Sequence, residues 1–178
     1  MLSLEIHDVE SDQIRGLAEV QVRSWQAAYR GIIPDTHLDA LSIDESERRW
    51  RTSIAQPSRS HTIVAEFLGA VVGFASFGPC RDPDMGEGGM GELYAIYVDP
   101  RRFGQSVGSA LMAHTLGRLS RQRYEGAILW VLERNAHARR FYERWQWAIE
   151  GRKKTIHFGD VAVDELRYGH ALSRAVYL

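Results

Sequence analysis

The chain has 178 residues, 44% of them hydrophobic, with a formal net charge of −1 and a single cysteine, Cys80. That is enough for one domain with its own core, expected over residues 1–178. The near-neutral balance gives no footing for nucleic acid or a membrane surface, one cysteine excludes an internal disulfide, and no apolar run approaches the roughly 20 residues of a membrane span.

Residues 2–6 alternate as a first strand and carry no basic leader, so with the lone cysteine a reducing, cytoplasmic setting is expected. Residues 12–29 are predicted helical, with Ile14, Leu17, Ala18, Val20 and Val22 as the apolar stripe; Gly31 and Pro34 end the helix. Residues 35–41 and 46–54 form shorter helical pieces, with Ser42 and Asp44 as candidate caps. Residues 61–67 and 70–77 read as a hairpin across Leu68-Gly69. The next segment, 78–91, holds five of the 16 glycines and two prolines, and is expected to be a mobile loop beside a substrate site. Its acids Asp82, Asp84 and Glu87 would suit a cationic amine, though exposed acids in loops are ordinary. Residues 93–98 form a strand halted by Pro100, and apolar positions at Val107, Ala110 and Leu111 begin a helix. A buried strand from Ala127 ends at Glu133, and Asn135 caps a short helix from Ala136. This β-α-β core should be parallel with a right-handed crossover. Residues 147–156 and 161–172 close the chain as an antiparallel hairpin, with Trp145 and Trp147 read as packing beside its tip.

Between the strand and the helix at Val107 lie Arg101, Arg102, Gly104, Gln105, Ser106 and Gly108. A helix N-terminus offers unpaired N–H groups and partial positive charge, and glycines let a ligand approach the backbone. The turn reads as an anion cradle for a phosphate-bearing cofactor. Gly104 and Gly108 are four apart, so the dinucleotide pattern G-x-G-x-x-G fails; Gly108-Ser109-Ala110 lacks the lysine of a P-loop. On this segment alone, a plain turn at Gly104 with Ser106 as a helix cap explains the residues equally well. Seven histidines show no H-x-x-x-H or Cys/His spacing, so no metal is expected. Cys80 has no base beside it and reads as a turn residue.

Residues 91–111, together with Asn135, Ala138, Phe141 and Tyr142, resemble the GNAT superfamily of acetyl-CoA-dependent N-acetyltransferases. The family loop has the form [QR]-x-x-G-x-[GA] after a strand ending in V-x-P, and its second mark is N-x-x-A-x-x-F-Y, whose approximate spacing these four residues follow. Residues 23–34 also resemble the first helical region of many members. The loop departs from the pattern at two places: Phe103 stands where Arg or Gln is usual, and Ser106 where a glycine is usual. Arg102 is then the candidate for the missing charge, while the Cβ of Ser106 disfavours positive φ.

The resemblance implies a single α/β (mixed α+β) domain: a mostly antiparallel sheet of six to seven strands flanked by helices, with a parallel β-α-β cofactor unit. It implies an enzyme, an acyl-CoA-dependent N-acyltransferase, using acetyl-CoA and no metal on a small-molecule or peptide amine. Cofactor contacts are implied at the backbone of Ile96, Tyr97 and Val98, at the turn Arg102, Phe103, Gly104, Gln105, Ser106, Val107, Gly108 and Ser109, and at Asn135 and Tyr142. Tyr142 is implied as the acid for the leaving thiolate, since a phenol with a reference pKa near 10 is protonated at neutral pH. Glu92 is implied as the base; a solvated carboxylate beside a glycine loop is the competing reading. Trp25 and Tyr29, one helical turn apart, are implied to line the acceptor pocket, against ordinary core packing. A catalytically idle acyl-CoA sensor, a different acyl group and a hydroxyl acceptor remain as alternatives. The acceptor's identity and the oligomeric state, a homodimer included, stay open.

Overall fold

The computed structural model describes residues 4–86 and 88–172. The elements run β1 (Leu4–Asp8), α1 (Ile14–Ala28), α2 (Asp35–Asp39), α3 (Ile43–Ala55), β2 (His61–Phe67), β3 (Ala70–Pro79), β4 (Met90–Val98), α4 (Val107–Arg121), β5 (Gly126–Leu132), α5 (Ala136–Arg144), β6 (Ala148–Phe158) and β7 (Val161–Ala171). Short 3-10 turns stand at Pro83–Met85 and Pro100–Arg102. The strands form one seven-stranded sheet in the order β1-β2-β3-β4-β5-β7-β6. Every neighbouring pair is antiparallel except β4–β5, which is parallel with α4 as its crossover. This is the mixed sheet expected from the sequence. Of the first predicted strand, Leu2 and Ser3 lie outside the described residues.

Local chemistry explains most boundaries. Leu68 (φ 56°) and Gly69 (φ 74°) both take positive φ, the geometry whose twist matches a two-residue hairpin between β2 and β3. Ser42 accepts from the Glu45 N–H, so α3 begins at Ile43, earlier than the helical periodicity alone indicates. Asn135 accepts from the Ala138 N–H and starts α5.

Two helical layers sandwich the sheet. On one face α1 and α3 cover Val64 and Phe74 through Leu17, Val20 and Trp50. On the other, α4 covers Ile63, Ala75, Phe77, Leu93 and Leu129 through Leu111, Met112, Leu116 and Leu119, and α5 adds Ala138, Phe141 and Tyr142. Each fully buried leucine here contributes about 1.5–3 kcal/mol of transfer free energy. The two tryptophans do not flank the closing hairpin's tip, which is Gly159-Asp160. They sit at its other end, where α5 turns into β6, and Trp147 is buried in the core.

The segment expected to be a mobile loop is largely anchored. β3 runs on to Pro79 and β4 begins at Met90, and Asp82 and Asp84 bind the Arg167 guanidinium at 3.0 and 2.8 Å. Glu150 takes the same guanidinium through Nε at 2.8 Å, and the Trp130 indole N–H donates to Asp82. These two aspartates are therefore already neutralised, which removes the ground for reading them as a seat for a cationic amine. Glu87 lies outside the described residues.

Candidate active site

β4 and β5 pair only from Met90–Gly126 to Leu93–Leu129 and then part. Beyond Leu93, β4 remains bonded to β3 alone on its antiparallel side. The Asp99 N–H bonds the Val72 carbonyl of β3, so by strand alternation Tyr97 faces β3 with both backbone groups, while Ile96 and Val98 face the gap. This corrects the expectation that all three offer their backbone to a ligand. The Val98 carbonyl is already taken by the Ser24 hydroxyl at 2.9 Å. That leaves the Ile96 N–H and carbonyl and the Val98 N–H along the opening.

At the C-terminal end of β4, Asp99 is 2% exposed and organises the turn. It accepts from the Arg101 N–H and Nε, both at 3.0 Å, and pairs with Arg101 Nη2 at 2.6 Å and Arg23 at 3.3 Å. Arg101, chiefly through its side-chain hydrogen bonds, holds the Asp99 carboxyl down at about 2 against the effect of burial. Asp99→Asn is therefore expected to lower the thermal midpoint at neutral pH. Because the native carboxyl is more acidic than an unfolded one near 4, that deficit should shrink as pH falls from about 4 towards 2, where the wild type takes up the proton too. Melting curves against pH check this; a deficit constant down to pH 2 would assign the loss to shape rather than charge.

The turn itself runs through Gly104 (φ 76°) and Ser106 (φ 62°), so Ser106 adopts the left-handed conformation despite its Cβ. It caps nothing with its side chain. The N–H groups of Val107, Gly108 and Ser109 make no backbone bond among the described residues; the first in the helix is Ala110 to Ser106. A Cβ at Gly104 would meet nothing within 4 Å, so this surface is open. Phe103 is exposed and stacks on His137 at 5.9 Å, linking the turn to α5. Arg102 lies over the Phe67 ring at 4.8 Å and reaches Gln105 at 3.4 Å, with no carboxylate partner among the described residues.

Tyr142 projects from α5 against Trp147 and Tyr168, and its hydroxyl has no hydrogen-bond partner among the described residues. Burial raises its pKa well above the usual phenol range, with a smaller contribution from Tyr97. Across the opening, the hydroxyls of Tyr97 and Tyr29 share a hydrogen bond of 2.8 Å. Trp25 meets Tyr29 edge-on at 5.1 Å and Phe158 at 6.5 Å. The predicted pair Trp25 and Tyr29 thus belongs to one half-buried aromatic cluster with Tyr97. Asn135 is buried and accepts through Oδ1 as the cap of α5.

Glu92 is 4% exposed, not a solvated loop-edge carboxylate. It accepts from the Arg81 backbone N–H at 2.8 Å, from Nη2 at 2.7 Å and from Nε at 3.2 Å. Sequence reasoning missed Arg81, which is eleven positions away with no periodic relation to Glu92. It also missed a bulge: Phe77 pairs Leu93 and Ser76 pairs Ala95, so Tyr94 is the extra residue. Leu93 packs under α4, whereas Tyr94 and Ala95 both line a cleft on the α1/α3 face. Burial pushes the Tyr94 phenol up to about 12, and its hydroxyl donates to the Pro79 carbonyl at 2.6 Å. Burial likewise raises the Cys80 thiol, which makes it a poor nucleophile at neutral pH.

The acetyltransferase (GNAT) family profile matches residues 20–146. The N-acetyltransferase YuaI of Bacillus subtilis (strain 168), itself uncharacterised, is 35% identical over 130 residues, covering 73% of this chain and 72% of that protein. Among solved structures, the PaiA N-acetyltransferase of Thermoplasma acidophilum in complex with coenzyme A superposes with a TM-score of 0.74 at 16% identity, covering 96% of this chain and 99% of that one. YncA of Salmonella typhimurium, solved with its cofactor acetyl-CoA, gives 0.69 at 18%, covering 97% and 95%. At such identities these two likenesses speak for the fold. The chain belongs to the GNAT acetyltransferase family, and its general chemistry is acyl transfer. No helix among the described residues is long and apolar enough to cross a membrane.

Proposed function

We propose that the protein transfers an acetyl group from acetyl-CoA to a primary amine of a small molecule or peptide, by direct attack with both substrates bound. The observation that carries this reading is the opening between β4 and β5 beyond Leu93 and Leu129, with β4 backbone on one side and the Tyr142 hydroxyl nearby, neither partnered there among the described residues. An extended pantetheine arm suits such an edge as an added strand does. Val107, Gly108 and Ser109 would donate their N–H groups to the pyrophosphate, with Gly104, Gln105 and Ser106 giving close approach and Arg102 the nearby charge. Phe103 and Asn135 would border the arm.

The cosubstrate supplies the activated acetyl thioester. As the N–C bond forms and the C–S bond breaks, the Ile96 N–H donates to the thioester oxygen. Glu92 takes the proton shed by the amine, directly or through water, and Tyr142 gives one to the departing thiolate. Glu92 does this as an ion-paired carboxylate, so its freedom depends on Arg81. Trp25 and Tyr29 stand on the acceptor side through Tyr97.

Thiol release from acetyl-CoA with a panel of amines tests the activity. Gly108→Val tests the seat. A Cβ at Gly108 would meet Phe141 and Val98 at 3.5–3.6 Å, ordinary contact, so the fold should persist. The two added methyls beyond it would stand at the helix start and should weaken coenzyme A binding strongly. Equal affinity of variant and wild type by calorimetry would remove the turn from the site.

A further inference from the structure

A cleft of about 450 Å³ opens on the α1/α3 face of the sheet, between the C-terminal end of α3, the segment after it, and the end of β3. Its wall contains two guanidinium groups, Arg59 and Arg81, the hydroxyls of four serines, and the side chains of Trp50 and Tyr94; among the described residues no carboxylate lines it. Arg59 is exposed, and its side chain makes no ion pair or hydrogen bond among the described residues. Arg81 lies over the Tyr94 ring at 4.0 Å and holds Glu92 through Nε and Nη2. Its Nη1 makes no hydrogen bond among the described residues, which leaves one edge of the planar fork unengaged.

We propose that this cleft binds an acceptor whose amine is accompanied by a carboxylate, an amino acid rather than a polyamine, with the carboxylate on Arg81 and the Arg59 charge reinforcing it. The proposal rests on the acetyl-transfer reading above and names the substrate class of the same site. The geometry ties the two groups together. Glu92 does not itself line the cleft, but Arg81 does and grips its carboxylate, so an amine passing its proton to Glu92, directly or through water, stands beside that guanidinium. An anion on the free edge of that guanidinium is then only a few bonds from the amine, the separation found in an α-amino acid. The same contact gives Arg81 a second role. A substrate carboxylate on the unengaged edge shares the guanidinium charge with Glu92 and weakens the grip on it, so the correct acceptor helps to free its own base. A polyamine would bring only cations to a wall that already carries two.

Matched acceptors test this. Kinetics are measured by thiol release for a set of L-amino acids, the corresponding amino acid amides, and spermidine. The amide keeps the shape and removes the charge. Its less basic amine is more fully deprotonated at neutral pH, so the comparison is weighted against the proposal. The acids are expected to exceed their amides in kcat/KM by about tenfold or more, the weight of one charge-assisted hydrogen bond. Arg59→Gln should pull that ratio down, and Arg59→Lys should restore part of it. Since the exposed Arg59 side chain makes no ion pair or hydrogen bond among the described residues, both variants should melt with the wild type. Amides or spermidine turned over as well as the acids, or a ratio unmoved by Arg59→Gln, would overturn the proposal and leave acetyl transfer standing. Release of no thiol with any amine would overturn both.

Discussion

Tyr142→Phe is expected to lower turnover about 10²–10⁴-fold, the usual weight of general acid catalysis. Coenzyme A affinity should stay close to that of the wild type, because the ring that packs against Trp147 and Tyr168 is retained and only a hydroxyl without a hydrogen-bond partner is lost. The raised pKa of this phenol keeps it protonated throughout the neutral range, so its proton is available whenever the thiolate forms. No loss of rate from Tyr142 ionisation is therefore expected on the alkaline side up to the ordinary phenol range, near pH 10. Steady-state kinetics on an identified acceptor, paired with calorimetry for coenzyme A, separate the two effects. A variant that turns over near the wild-type rate would assign the proton to water or another group. One that loses affinity in step with rate would make Tyr142 a binding residue.

The largest expected effect on stability belongs to Arg167. Its side chain is 7% exposed and engages Asp82, Asp84 and Glu150, with the Trp130 ring beside it at 5.9 Å. Burial alone would lower its pKa, but the hydrogen bonds to Asp84 and Asp82 more than offset this and raise it. Arg167→Leu would leave Asp82 and Glu150 without the cation they share and Asp84 with Arg152 alone among the described residues, at 3.3 Å. Removing one partner of a buried ionic cluster costs roughly 3–5 kcal/mol, and because Asp84 and Glu150 retain some solvent the lower end, about 3 kcal/mol, is expected. Lysine should rescue little, since a single ammonium cannot match a fork bonded at Nε and Nη1. Gly169 belongs to the same arrangement, because a Cβ there would collide with the Glu150 carboxylate. Urea unfolding measures the loss. The change should also reach activity, because the tethered Asp82 follows directly after Arg81, whose guanidinium holds Glu92. A midpoint equal to that of the wild type would mean the cluster contributes nothing net.

What could be read along the chain were features that neighbouring residues settle among themselves. The β2–β3 hairpin follows from alternation on either side of Leu68-Gly69, where two positive φ angles give the turn its twist. Asn135 caps α5 through a bond to a residue three positions away. The turn before α4 and the Phe141-Tyr142 pair carry the family's chemistry in short, contiguous segments. All of these are local interactions, so the residue order contains them.

The tertiary structure decided whatever depends on partners distant in the chain. A glycine-rich segment looks mobile by composition, and Arg167, more than 80 positions later, anchors it. Glu92 could equally have been solvated or buried until the path of that segment brought Arg81 onto it. The bulge that turns Tyr94 and Ala95 to one face arises from pairing with β3, and no pattern within β4 announces it. The opening between β4 and β5 likewise exists only because two strands that share a register for four residues then diverge. Charge neutralisation, strand register and the separation of strands are properties of pairs brought together by folding. Periodicity and local propensity describe one segment at a time, and for that reason the residues of this site could be nominated from the sequence but their contacts could not.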